Sequence, residues 1–177
     1  ARLAPVLTGL LADTETAVRT QAAHMVCEDH AGRGDVVSLQ ALLASPDPLV
    51  KCAVIAALNA HPEVDAAPFV DELERLLRHE AKEVRTRAAG ALVGRARRGH
   101  DAVRILQAFL SLATPDGALT HEAADAVADL DWAGTTLGPA ALTALTATLG
   151  VEDARYHAFD ALQRAARGGT DISPAFA

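Results

Sequence analysis

The sequence predicts an all-α protein, a right-handed superhelix of about five antiparallel helix pairs. Five times, a Leu-rich stretch and a short turn precede a second helix whose aligned starts fall at Val18, Val50, Val84, Leu119 and Ala154. This spacing of 32 to 35 residues is typical of a solenoid. Apolar residues recur at each start and four, five and eight residues later, which is one buried stripe at helical spacing. No segment shows sustained alternation of β-branched residues, so no sheet is expected.

The helix pairs are expected within residues 3–30, 36–60, 68–98, 101–131 and 138–167. A single repeat domain would then span residues 1–169, with residues 170–177 as a tail. The second helix of the first pair should end near Cys27, before the Gly-containing segment 30–34. The second helix of the fourth pair should cover residues 119–130. Asp101 is a candidate N-cap, and Gly168 and Gly169 are suited to end the last helix.

The composition predicts a core of closely approaching helices. Alanine fills 40 positions, whereas only six residues are aromatic. Such a chain cannot fill its interior with large interlocking side chains, but it can bring helices close together, and Ala has the highest helix propensity. Trp132 is expected to pack between repeats instead of serving as a ligand platform.

The charge argues against general nucleic-acid binding. The formal net charge is −7, whereas a nucleic-acid-binding surface needs a basic face. Residues 75–104 nevertheless carry nine Arg/Lys against three acids, and residues 113–162 carry eight acids against one Arg. The preference for 14 Arg over two Lys indicates a GC-rich bacterial coding sequence.

The two cysteines are expected to be free. Cys27 and Cys52 fall at different heights of neighbouring second helices, so a disulfide is not predicted, which favours the cytoplasm. No signal peptide or 18-residue apolar run is present, and no membrane association is expected.

The repeat resembles short bacterial HEAT repeats, similar to those of phycobilisome lyases. The pattern Leu-x-x-Leu-Leu-x-Asp-x-x-x-x-Val-Arg-x-x-Ala-Ala is almost complete from Leu7 to Ala23 and nearly complete from Leu73 to Ala89, where His79 replaces the Asp. The resemblance covers about residues 3–166, and it weakens in the second, fourth and fifth repeats. Those departures are Val54-Ile55 in place of the Ala pair, Thr120 in place of Arg, and Ala158-Phe159.

The resemblance implies structural roles for the turn Asp and for the basic residue at each helix start. In the family these residues tie neighbouring repeats together. The residues at matching positions are Asp13, Arg19, Lys51, Arg85 and Arg155.

The second helices of such a solenoid would line its concave face, which is the predicted binding surface for another protein or peptide. Residues two, three, six, nine and ten positions after each start should point away from the buried stripe. The resulting candidates are His24, Arg87, His121, Glu122, Asp125, Asp129, Tyr156, His157 and Asp160. Residues at equivalent positions of adjacent helices should face each other, which would pair Glu122 with His157 and Asp125 with Asp160.

The same cluster supports an alternative, a metal-dependent or lyase-type enzyme. His121, Glu122, His157 and Asp160 are residue types that hold divalent cations. His121-Glu122 also resembles one of the iron-binding His-Glu pairs of deoxyhypusine hydroxylase, another HEAT-like protein. That family needs several such pairs, and here His79-Glu80 lies in a turn. No nucleophile–base pair, phosphate loop or Cys-x-x-Cys motif is present, so no catalytic residue and no cofactor are predicted.

A basic cluster provides a further alternative. Arg95, Arg97 and Arg98 could bind phosphate, and HEAT-like alkylpurine DNA glycosylases bind nucleic acid with such folds. Those enzymes use a basic groove with aromatic residues, whereas the groove predicted here is acidic at one end. The preferred interpretation is that these arginines interact with the helix dipole at a helix C-terminus or pair with the neighbouring acidic repeat. The sequence indicates neither the identity of the partner nor the oligomeric state.

Overall fold

The protein is all-helical over residues 3–173, the part of the chain that the computed structural model describes. Within these residues, every regular element is a helix and no strand occurs. The helices are α1 (Leu3–Leu10), α2 (Thr16–Gly32), α3 (Val36–Leu43), α4 (Pro48–Ala60), α5 (Val70–Leu76), α6 (Lys82–Arg97), α7 (Ala102–Leu110), α8 (His121–Ala128), α9 (Gly138–Thr148) and α10 (Arg155–Arg167), with a short 3-10 helix (Ala67–Phe69) before α5. Over residues 3–173 there are ten α-helices, the number that five helix pairs require.

The chain divides into two compact units, residues 1–91 and residues 92–177, and α6 crosses the division. In the first unit, α2 packs against α1, α3 and α4, and α3 also packs against α4. In the second unit, α8 packs against α7, α9 and α10, and α9 also contacts α7 and α10. In each unit, therefore, the second helices of two consecutive pairs lie side by side: α2 beside α4 in the first unit, and α8 beside α10 in the second.

Two of the expected helix boundaries are wrong. The helix α2 does not end near Cys27 but continues to Gly32, because Ala31 is buried and the extra turn therefore covers apolar surface. The helix α8 is shorter than the expected residues 119–130. The Leu119 backbone N–H donates 2.8 Å to the Thr148 hydroxyl, so Leu119 is held outside the helix, and Thr120 caps the N-terminus of α8.

Asp101 does not act as the predicted side-chain cap. It precedes α7 with a left-handed backbone (φ 52°) and makes no side-chain cap hydrogen bond. Its carboxylate instead accepts a hydrogen bond of 2.9 Å from the Arg95 side chain. The left-handed conformation turns the chain between α6 and α7, and Gly99 (φ 83°) contributes a second such residue.

The buried stripe of the second helices is present but broader than predicted. Its members are buried, except that Val18 is partly exposed and Phe159 is 50% exposed. Four residues expected on the open face, Cys27, Ala53, Val93 and Ala128, are buried instead. Three of them lie nine residues after the helix start and Ala53 lies three residues after it, so neighbouring helices cover a wider arc than the stripe alone. Trp132 is buried, as expected of a packing residue.

Basic residues at the helix starts bind backbone carbonyls of the preceding turn. The Arg19 guanidinium donates to the carbonyls of Asp13 (2.9 Å) and Thr14 (3.1 Å). The Arg85 guanidinium makes the equivalent contacts with the carbonyls of His79 (3.0 Å) and Glu80 (2.9 Å). The buried Lys51 ammonium donates 2.8 Å to the carbonyl of Leu43, near the end of α3. These bonds satisfy carbonyls that a helix end or turn leaves open.

The tie between neighbouring repeats uses a different Asp from the one that the resemblance implies. The Asp13 carboxylate accepts from the Glu15 backbone within its own turn. The Asp47 carboxylate pairs instead with Arg19 (3.3 Å) and also caps α4 through the Leu49 N–H. Arg155 is exposed, and within the described part of the chain its side chain makes neither a hydrogen bond nor an ion pair.

The two cysteines are free thiols. Cys27 is fully buried, and its burial, with a smaller contribution from the negative charge of Glu28, raises the pKa of its thiol to about 12. Cys52 is partly exposed, and burial also raises its thiol pKa. Cys27 therefore stays protonated at neutral pH and behaves as a small core residue.

His61 links α2 to the end of α4 through two carboxylates. Its Nδ1 lies 2.9 Å from a Glu63 oxygen, and its Nε2 lies 3.0 Å from a Glu28 oxygen. Because carboxylates only accept, both ring nitrogens must carry a proton, and the ring is an imidazolium. The hydrogen bonds to Glu63 and then to Glu28 raise the pKa of His61 above its usual 6.5.

We predict that this link stabilises the protein only at acidic to neutral pH. The folded-state pKa of His61 is raised, so its contribution is full below the unfolded-state pKa and is lost as the pH rises through the folded-state pKa. The free energy of unfolding, measured with urea, should differ more between wild type and His61→Asn at about pH 5.5 than at about pH 8.5. His24→Asn is the control, since His24 is exposed. Equal differences at both pH values would contradict this assignment.

Candidate functional site

The exposed side of the α8–α10 contact carries most of the predicted binding residues. His121 is the first residue of α8, and Asp125 lies about one turn later. Tyr156 and His157 lie in the first turn of α10. The rings of His121 and His157 meet edge to face with centroids 4.6 Å apart, and the Tyr156 ring lies 5.8 Å from that of His157.

Both imidazoles at this contact have a polar partner at Nδ1. His157 Nδ1 lies 3.0 Å from the Asp125 carboxylate, within ion-pair distance, which links α10 to α8. His121 Nδ1 lies 2.7 Å from the backbone carbonyl of Asp153. Because a carbonyl only accepts, His121 must donate from Nδ1. The two rings are therefore oriented by the fold and form part of the contact between the helices.

The structure shows contacts between the two helices beyond the predicted pairs. His157 meets Asp125 and His121 of α8. Asp160 forms an ion pair with Arg164 of its own helix and does not face Asp125 in an ion pair. The prediction paired residues at identical repeat positions, where the equivalent of His157 is Glu122. His157 lies instead between His121, one position before that equivalent, and Asp125, three positions after it. Such an offset arises because the side chains of packed helices interdigitate.

Asp129 connects the C-terminal ends of three helices in the second unit. Its carboxylate lies 2.9 Å from Arg97 of α6 and 3.3 Å from Arg164 of α10. The same arginines donate to backbone carbonyls at the end of α8: Arg97 to Asp129 (3.2 Å) and Arg164 to Ala128 (2.8 Å). The hydrogen bond from Arg164 to the Asp160 carboxylate, and to a smaller extent the one to Asp129, raises the pKa of Arg164. Asp129 is thus committed to internal contacts.

Two open clefts border Asp129. The larger, of about 590 Å³, lies between the ends of α8 and α10 and is lined by Trp132, Arg164 and Gly168, among others. The smaller, of about 280 Å³, is lined by Ala96, Arg97 and Leu106 and shares the segment 129–131 with the first. Asp129, Arg97 and Arg164 in these walls are paired with one another, and the exposed Asp131 lines both clefts.

The remaining two predicted residues lie in the first unit. His24 is exposed on α2, and Arg87 is exposed on α6. Arg87 lies beside the Cys52 thiol, and its charge partly offsets the effect of burial on the pKa of that thiol. The structure therefore brings together seven of the nine candidates, those carried by α8, its C-cap and α10.

The residues proposed as metal ligands do not form a cation site in the described structure. Between residues 3 and 173, no group of three or more His, Cys, Asp or Glu side chains is arranged to hold a metal ion. His121 and His157 are adjacent, but Asp160 is paired with Arg164. The acidic and imidazole groups are used in hydrogen bonds and ion pairs.

Sequence reasoning expected Arg97 to cap a helix end or to pair with the neighbouring acidic repeat, but it did not single out Asp129 as the partner, and it missed Arg164 as a second partner of Asp129. A signal for Arg164 was available, because it lies 35 residues after Asp129 and so occupies the same repeat position. Opposite charges at one position of consecutive repeats predict an ion pair wherever the second helices pack side by side.

Comparisons with known proteins show the fold alone. No protein-family profile and no curated protein sequence matches the chain. The crystal structure of an engineered protein, determined by the Northeast Structural Genomics Consortium, is similar with a TM-score of 0.57 and 21% identity over 94% of this chain and 80% of that chain. No helix in the described range is both long and apolar enough to cross a membrane.

We predict that Asp129 and Asp125 differ in their effect on stability. Asp129→Asn should lower the free energy of unfolding by roughly 1 kcal/mol, since it weakens two ion pairs at once. Asp125→Asn should cost less than about 0.5 kcal/mol, since its carboxylate is more exposed and has one ion-pair partner. Urea titrations of both variants test this difference. If Asp129→Asn is as mild as Asp125→Asn, the assigned network does not stabilise the fold.

Proposed function

We propose that the chain is a HEAT-like solenoid that binds a basic segment of a partner protein through the exposed α8–α10 face. Five helix pairs with a repeated carbonyl contact at Arg19 and Arg85 support the repeat architecture. A right-handed superhelix and a bacterial origin belong to the same proposal. A cytoplasmic location also belongs to it and accords with the two free cysteines.

The observation that carries the binding proposal is the exposure of Tyr156. Its side chain is 74% exposed, although it is the chain's single tyrosine and one of six aromatic residues. Exposed aromatic residues are enriched at protein interfaces, where they bury much surface at little entropic cost. Beside it lie His157 and, through His157, the Asp125 carboxylate.

The charge of this region favours a basic partner. Eight acids and three arginines occupy residues 113–167; Arg164 pairs with Asp129 and Asp160, and Asp125 remains largely exposed despite its pair with His157. A surface of this sign attracts Lys/Arg-rich segments and repels nucleic acid. The absence of a metal-ligand cluster in the described residues gives the enzyme alternative no comparable support.

Binding of a model peptide tests this function. A fluorescein-labelled amphipathic Lys/Leu peptide should bind the full chain, with weaker affinity at higher salt, whereas an acidic peptide of the same length should not bind. Tyr156→Ala should weaken binding at least about fivefold, the equivalent of roughly 1 kcal/mol. Asp125→Asn should weaken it by a smaller factor and reduce the salt dependence, since it removes one charge.

Two substitutions serve as matched controls for the peptide experiment. Val103→Ala shortens another exposed apolar side chain, and Asp116→Asn removes another exposed carboxylate of the second unit. Both should leave the affinity unchanged. The proposal is contradicted if Tyr156→Ala behaves like Val103→Ala, or if the basic and acidic peptides bind equally.

A further inference from the structure

The larger of the two clefts beside Asp129 lies between two consecutive helix pairs. Its walls come from the end of α8, the end of α10 and the connection between α8 and α9. Its volume is about 590 Å³, which is within the range of about 300–1,000 Å³ that is usual for ligand pockets in proteins. The cleft is therefore large enough to hold a small molecule or a long side chain.

Buried apolar side chains form the base of this cleft. Ala128, Trp132 and Ala161 line it and are buried. Ala165, one turn after Ala161 on the same side of α10, also lines the cleft. An alkyl chain that enters the cleft would leave water for an apolar surface, which is favourable.

The helix ends around the cleft favour a positive ligand. Both α8 and α10 end beside the cleft, and the C-terminus of a helix carries a partial negative charge. Arg164 is the single basic residue in the walls, and its guanidinium donates to the Ala128 carbonyl and pairs with Asp129 and Asp160. The positive charge of Arg164 is therefore balanced within the protein and does not favour an anion.

Asp131 is the charged residue of the cleft walls that has no partner. It is exposed and lines both this cleft and the smaller one. Within residues 3–173 its carboxylate makes neither a hydrogen bond nor an ion pair, whereas Asp129 and Arg164 are paired with each other. An ionised carboxylate accepts hydrogen bonds from ammonium groups, and from guanidinium groups it accepts two at once. The cleft therefore combines an unused anion with an apolar base.

We propose that this cleft binds an aliphatic cation, which is a guanidinium or ammonium group on an alkyl chain. The cationic group pairs with Asp131, and the alkyl chain lies on Ala128 and Ala161. Small alkyl amines and the side chains of Arg and Lys share this chemistry. The cleft is separate from the exposed Tyr156, which lies in the first turn of α10, about 12 Å along the helix from Arg164.

The fluorescence of Trp132 tests this site, because Trp132 is the single tryptophan of the chain and lines the cleft. Titration of the full chain with butylguanidinium should change the fluorescence in a saturable way, with a Kd on the order of 1 mM. The neutral analogue butylurea and the anion pentanoate should cause no saturable change. The proposal is overturned if butylguanidinium gives no saturation, or if butylurea binds equally well.

Substitutions of Asp131 test its role in the same titration. Asp131→Asn should weaken the binding of butylguanidinium at least about fivefold, because it removes the charge that pairs with the ligand. Asp131→Glu keeps the charge and should bind within about threefold of the wild type. Asp116→Asn removes an exposed carboxylate of the same unit that does not line the cleft, and should bind like the wild type. Equal affinities of Asp131→Asn and Asp116→Asn, with both variants folded by circular dichroism, would overturn the proposal.

A blocked tripeptide with a central arginine, N-acetyl-Gly-Arg-Gly amide, distinguishes two sources of the cation. If the tripeptide binds at least as tightly as butylguanidinium, the cleft accepts an arginine side chain of a polypeptide. If the tripeptide does not bind whereas butylguanidinium does, the ligand is a free small molecule. Either result supports a cation site at Asp131, since both require binding of the guanidinium group.

Discussion

Small side chains at the contacts between neighbouring second helices are the constraint on which the described structure depends. In the second unit, Ala124 and Ala128 of α8 and Ala161 of α10 are buried where the two helices meet. Alanine at such positions lets helix axes approach closely, since the distance between packed helices is set by the side chains at the contact. Bulkier buried residues lie on both helices of a pair: Phe109 and Leu145 on first helices, and Ile55 and Leu162 on second helices.

Backbone carbonyls at turns and helix ends also need hydrogen-bond donors, and long basic side chains supply them before the second helices of the first three repeats. Arg19, Arg85 and Lys51 donate to the carbonyls that precede the second helix. Arg164 donates to the end of the neighbouring helix, and the buried Thr148 hydroxyl accepts from the Leu119 backbone. Buried polar groups are costly unless they are hydrogen-bonded. These polar side chains therefore stabilise the packing of the helices and are not available for contacts with a partner.

The sequence allows the all-helical structure of residues 3–173 and the buried stripe to be predicted, because burial repeats with a fixed period. Boundaries were predicted less well, since Ala31 extends α2 and Leu119 is held outside α8 by a residue 29 positions away. Phe159 was expected in the core because a periodic pattern treats every repeat alike, whereas the last described repeat has no neighbour to cover it. The pairing of His157 with Asp125 depends on the offset between two helices, which the spacing alone does not give.

The most direct test of this account is the free energy of unfolding of Ala124→Phe. This substitution places a Phe in the fourth repeat at the position that Phe159 occupies in the fifth. The helices α8 and α10 would have to separate, so the account predicts a loss of about 1–3 kcal/mol or more. Ala140→Phe, at an exposed position of α9, should change the stability by less than about 0.5 kcal/mol. If Ala124→Phe is as stable as the wild type in urea titrations, close approach through small residues does not determine the packing of these helices.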